Sequence, residues 1–181
     1  MKRKWPLVVW VVFVYWTVGF YPFRWSLPFK AYINAAQSSA EGRWQFSEPG
    51  IAKTTAAPEW LAEAIKHSSL QVILEIKPAY QDQSGPARIF SISQNPYYQN
   101  VMIGQEGADL VLRLRTSQTS LSGMPSYQIA DVFAHAEWQR LEVLIRPGEL
   151  QIQINGAPCI STKLPARALL AWASDCVPAS N

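Results

Sequence analysis

Two adjacent tyrosines set among side-chain amides, in Gln94-Asn95-Pro96-Tyr97-Tyr98-Gln99-Asn100, are the residues of this chain best suited to recognition chemistry. A tyrosine ring stacks on a sugar face while amides fix hydroxyls, and ligand sites combine apolar walls with a few polar groups. The same side chains suit a protein interface, where Tyr is enriched. They also fit a plain surface, on which single exposed aromatics are normal. Arg113 and Arg115 are two residues apart in an alternating run and so share a face. They either meet a ligand or pair across a sheet with Glu75 or Glu142. Tyr97, Tyr98, Gln99, Asn100, Arg113 and Arg115 form the candidate ligand-binding set.

Catalytic chemistry is poorly supplied. Glycoside cleavage needs two carboxylates flanking one bond, and the nearest pair here, Glu106 and Asp109, is interrupted by Gly107, a turn signal. His67 and His135 are the two histidines, and neither sits near a recognisable nucleophile. Two His and two Cys without ligand spacing do not make a zinc site. Asp82, Asp109 and Asp131 lie near predicted loops and read as solvated carboxylates. We expect no catalytic residue, no metal and no cofactor. Cys159 and Cys176 allow one disulfide in an oxidising compartment; the alternative is two unpaired thiols.

Location is read from the first residues. Met1–Lys4 is a basic stub, and Trp5 through Phe23 carries no charge before Arg24. A helix of roughly 17–25 apolar residues spans a bilayer. Basic residues before it keep that end cytoplasmic, which sends the rest outside. Trp5, Trp16, Tyr21 and Trp25 sit near its ends, where amphipathic rings prefer the interface. A cleaved signal ending at Ser38-Ser39-Ala40 is the alternative, but that site is far from the apolar run. The expected plan is a single pass through the cytoplasmic membrane over 5–23, a linker over 24–42 and an extracytoplasmic domain over 43–181. The net charge of +3 is concentrated in the first thirty residues. With no basic stripe beyond them, nucleic acid is not an expected partner.

The elements that must position these residues are mostly strands. Pro58–His67 holds helix formers behind a proline at a plausible first position. Leu70, Val72, Leu74 and Ile76 alternate with polar residues. So do Leu110, Leu112 and Leu114; Leu141, Val143 and Ile145; and Leu150, Ile152 and Ile154. Period two marks strands buried on one side. Between them fall Gly85-Pro86, Asn95-Pro96, Gly107, Gly123, Pro147-Gly148 and Asn155-Gly156 as turn signals. Arg146-Pro147-Gly148-Glu149 predicts a tight hairpin, and Asn155-Gly156 favours a type I′ turn. Ala166–Trp172 predicts a short helix. Short strands at this spacing predict an antiparallel sandwich or barrel.

Leu70–Pro78, Ser84–Ser93 (Ser-Gly-Pro-Ala-Arg-Ile-Phe-Ser-Ile-Ser) and Asn100–Thr116 (with Gly-Gln-Glu-Gly and Leu-Arg-Leu-Arg-Thr) resemble the laminin-G-like branch of the concanavalin A-like lectin/glucanase superfamily. More narrowly they resemble the laminin-G-like domain of bacterial membrane proteins that carry a VanZ-like segment. The Trp138–Gly156 hairpin is similar too, with Gln139 where a His is common and Asn155 where an Asp is common. The likeness covers roughly Arg43 to Ile160. It implies an all-β, jelly-roll-like sandwich of two antiparallel sheets, and such domains often hold calcium at the rim through oxygen ligands. The Glu-x-Asp-x-x-Glu strand of the hydrolase branch has no match here. Related domains continue past the region of Trp172, so we expect a sandwich lacking its last strands, with an edge open to a partner. The expected function is a membrane-anchored domain that binds a glycan or a protein without catalysis. The alternative is a truncated VanZ-like relative that pairs structurally with an envelope protein.

Overall fold

The computed structural model describes residues 9–16, 36–39, 42–46, 50–54, 56–93 and 97–173. It divides into two compact units, Met1–Lys53 and Thr54–Asn181.

In the first unit, residues 9–16 are helical (α1) and their side chains are exposed. Among the described residues no helix is long and apolar enough to cross a membrane. The rest of the expected 5–23 span lies outside the described residues. Where the sequence predicts linker, Ala36–Ser38 (β1) pairs antiparallel with Trp44–Phe46 (β2). Of the small polar residues read as linker, Ala36–Ser38 form β1 and Ser39 follows it into the hairpin. The Ser39 N–H donates to the Arg43 carbonyl at 2.8 Å, and Gly42 takes the positive φ of 75° that glycine tolerates.

The second unit is mostly antiparallel β-sheet. It opens with the predicted helix, Glu59–His67 (α2); Pro58, predicted as its first residue, is instead the extended residue before it. The helix ends on a left-handed Ser68, whose N–H closes onto the last-turn carbonyls. Eight strands follow: Leu70–Ile76 (β3), Gln83–Ser93 (β4), Gln99–Gly107 (β5), Asp109–Leu114 (β6), Tyr127–Ile129 (β7), Gln139–Arg146 (β8), Glu149–Ile154 (β9) and Ala157–Lys163 (β10). A 3₁₀ turn, Ala168–Trp172 (η1), stands where the sequence predicts a short helix. The strands form two four-stranded sheets, ordered β10-β9-β8-β3 and β4-β5-β6-β7.

One core joins the sheets. Val72, Leu141, Val143, Ile145, Leu150 and Ile152 come from the first sheet; Val101, Ile103, Leu110, Leu112 and Leu114 come from the second. For β3, β6, β8 and β9 these are the faces that the period-two pattern predicts as buried; β5 is not among the predicted alternating runs. Each such side chain contributes about 1.5–3 kcal/mol of hydrophobic stabilisation. Leu61 and Ile65 of α2 and Leu169 and Trp172 of η1 pack into the same cluster. Pro147-Gly148 joins β8 to β9 with Gly148 at φ 84°, and Asn155-Gly156 joins β9 to β10 with both residues at positive φ, as predicted; Gly85-Pro86, predicted as a turn, instead lies inside β4 where its pairing with β5 slips, and Asn95-Pro96 lies outside the described residues.

Candidate functional site

Alternation in β5 and β6 sends Val101, Ile103, Leu112 and Leu114 into the core, so Asn100, Met102 and Arg113 point to the opposite face. The register places Met102 beside Arg113 on one side and beside Ser91 of β4 on the other. The ladder continues one residue past β6, where the Arg115 N–H donates to the Asn100 carbonyl at 2.8 Å. Asn100 and Arg115 therefore sit one row beyond Met102 and Arg113 on the same face, about 7 Å along the strand. That face is not an ordinary solvated surface. Asn100 is wholly buried, and Met102 and Val111 are as buried as the core residues behind them.

The turn between β6 and β7 helps to cover it. The Gln99 N–H donates to the Leu121 carbonyl at 3.1 Å, which holds this loop against the start of β5. Gly123 comes so close that an added Cβ would lie 2.8 Å from the Leu114 nitrogen and 3.1 Å from the Arg113 Cβ. At φ 77° and with no room, this is a position where glycine is required.

On this support, four of the six candidate residues come together. Arg115 is buried, and its Nη1 donates to Asn100 Oδ1 at 3.2 Å. Its guanidinium carbon stands 6.0 Å from the centre of the Tyr98 ring, at the outer limit of a cation–π contact. The Arg115 carbonyl accepts the indole N–H of Trp172 at 2.8 Å, so η1 anchors the end of this strand from the core side. Gln99 is buried beside them. Tyr98 is partly exposed over Arg115, while Tyr97 projects with 80% of its surface accessible. Arg113 lies one row away and half-buried; its Nε, like the Ser91 Oγ, is buried without a hydrogen-bond partner. Ser91 is the participant that the sequence conceals, because a serine on an outward strand position carries no signal until its neighbours are known.

The expected alternative for the arginines needs correction. Arg113 and Arg115 belong to the β4–β7 sheet, whereas Glu75 and Glu142 belong to the other. Glu75 faces Arg140 at 3.5 Å, and Glu142 accepts the Gln71 side-chain amide at 2.6 Å.

The remaining candidates serve local structure. Glu106 and Asp109 face each other across the β5–β6 turn. Asp109 accepts the Asp131 N–H at 3.0 Å and the Gln128 amide at 2.7 Å, which fastens the end of β7. Asp82 and Asp131 are exposed. Among the described residues no group of three or more His, Cys, Asp or Glu gathers as a metal would need. His67 ends α2 with its Nε2 3.3 Å from Glu63, and His135 is exposed in a loop. Burial raises the Tyr127 phenol above its ordinary pKa on the β7 edge of the core. Cys159 is exposed on β10, and Cys176 lies outside the described residues, and with it the pairing.

No family model and no curated protein matches this sequence. Among solved structures, a binding domain of botulinum neurotoxin DC in complex with rat synaptotagmin II is similar at a TM-score of 0.43 and 18% identity. The match covers 59% of this chain and 26% of that one, so the chain spans about a quarter of the structure it resembles. A likeness this low carries no functional argument.

Proposed function

We propose that this chain is a membrane-anchored, laminin-G-like β-sandwich that binds a glycan outside the cytoplasm and catalyses no reaction. The observation that carries the reading is the arrangement around Arg115. A buried arginine is tied to a wholly buried Asn100 and overlaid by a partly exposed tyrosine. The guanidinium and amide hold the Tyr98 ring from beneath, and its exposed face offers the stacking surface that a sugar ring needs. The two-sheet architecture supports the laminin-G-like resemblance, and the uncharged Trp5–Phe23 run supports the anchor.

The test is a glycan array probed with the full chain in mild detergent. Saturable binding is expected, weakened at least about tenfold, or about 1.4 kcal/mol, by Tyr98→Ala and less by Tyr97→Ala. A well-folded chain that binds no glycan yet co-purifies with an envelope protein from its own membranes would replace this reading with the structural-partner one.

A further inference from the structure

The second unit is polarised from end to end. In the first sheet the pairings bring the start of β3, the β8–β9 turn and the last residue of β10 to one end. In the other sheet the start of β5 and the close of β6 share an end. The Trp172 indole on the Arg115 carbonyl puts η1, which follows β10, at that same end, and α2 packs on η1 before leading into β3. The turns after β3, β5 and β9 lie at the opposite end.

Large apolar side chains crowd the α2 end. Trp60 of α2, Leu170 of η1, Tyr97 before β5, and Leu121 and Met124 of the β6–β7 loop are all exposed there. Among the described residues the opposite end exposes two, Tyr80 and Trp138. Charge follows the same axis. Arg146, Lys163 and Arg167 are exposed at the α2 end, whereas Asp82, Glu106, Asp131 and Glu137 are exposed at the other. The acids of the α2 end are largely engaged locally: Glu63 by Lys66 and His67, and Glu149 by the Gln151 amide. The chain also enters the unit here, through 54–58 into α2, so this end is the nearer in sequence to the uncharged Trp5–Phe23 run.

Apolar groups gathered on one surface mark an interaction site, and their chemistry here fits a bilayer. Trp and Tyr rings with aliphatic tips sink into the headgroup layer, while Lys and Arg stay at its anionic surface. Each such cation adds about fivefold in affinity for anionic lipid. We infer that the α2 end of the sandwich lies against an anionic lipid surface. Trp60, Tyr97, Leu121, Met124 and Leu170 enter the headgroup layer, and Arg146, Lys163 and Arg167 meet the lipid phosphates. This inference rests on the membrane anchor of the proposed function and adds an orientation to it. Tyr98 opens at the same end, so the sugar that it takes is one within reach of the bilayer surface.

The experiment places the full chain in vesicles of phosphatidylcholine, with or without phosphatidylglycerol. A polarity-sensitive dye is carried on Leu121→Cys or on Tyr80→Cys in a Cys159→Ser, Cys176→Ser background; Leu170→Cys reads the α2 end independently. Flotation with the vesicles reports the anchor, and quenching by neutral acrylamide reports docking. In anionic vesicles the dyes at 121 and 170 are expected to be quenched at least about fivefold less than the dye at 80. Combining Arg146→Glu, Lys163→Glu and Arg167→Glu, or raising salt, should remove that protection without shifting the melting temperature. Flotation with equal quenching at both ends overturns the inference and leaves the anchor standing. So does protection that is the same in neutral vesicles or survives the charge reversal, since it marks contact with the rest of the chain. Failure to float overturns both.

Discussion

The two sheets of the second unit share one core but treat their outer faces in opposite ways. On β10-β9-β8-β3 the outward side chains satisfy one another: Gln71 with Glu142, Gln151 with Glu149, and Glu75 with Arg140. The β3–β8 register runs unbroken from Leu70↔Ile145 to Ile76↔Gln139. On β4-β5-β6-β7 the β4–β5 pairing slips at three places, and outward Met102 and Val111 are buried to the same degree as inward Val101 and Leu112. There Arg115 pairs with Asn100 and Gln128 with Asp109, while Arg113 Nε and Ser91 Oγ are buried without a hydrogen-bond partner. Self-satisfied surface is a scaffold, whereas this partly covered face holds the pair on which the Tyr98 ring rests.

That contrast can be broken by substitution. The largest effect is expected at Trp172→Ala, which empties a core position and removes the indole donor to the Arg115 carbonyl. The cost in a urea melt is about 3–5 kcal/mol. A smaller loss is expected at Arg115→Ala, which removes a donor from buried Asn100; about 1–3 kcal/mol is expected, together with loss of glycan binding. The smallest is Glu75→Gln on the scaffold sheet, where the ion pair with Arg140 is exposed on both sides. It should change the melt by less than about 1 kcal/mol and leave binding untouched. Should Glu75→Gln cost as much as Arg115→Ala, the two faces would be energetically alike and the distinction would fall.

Much of the scaffold was legible residue by residue. Leu110-Val111-Leu112-Arg113-Leu114 alternates, and its leucines face the core; Asn155-Gly156 and Pro147-Gly148 turn where their φ preferences demand. The candidate site was legible only in part. Tyr98, Gln99, Asn100, Arg113 and Arg115 were visible as residue types, and the structure gathers Tyr98, Gln99, Asn100 and Arg115 in one place. The pairing of the arginines with Glu75 or Glu142 was misjudged, because which strand joins which sheet is a long-range choice that local spacing does not encode. The described part of the 24–42 stretch is a related case. Small polar residues read equally as a linker or as the turn of a hairpin, and only the pairing of Ala36–Ser38 with Trp44–Phe46 separates the two.

The sequence by itself determined which residues alternate, where the chain turns and which side chains carry recognition chemistry, since these follow from a residue's own stereochemistry and its near neighbours. Tertiary structure decided that Ser91, Met102 and Arg113 form one row, that a glycine-bearing loop packs against Arg113 and Leu114, and that Trp172 ties down the strand end that carries Arg115. Each of these depends on strand register and on packing between residues far apart in the chain, and a slip of a single residue would turn every one of those side chains to the other face.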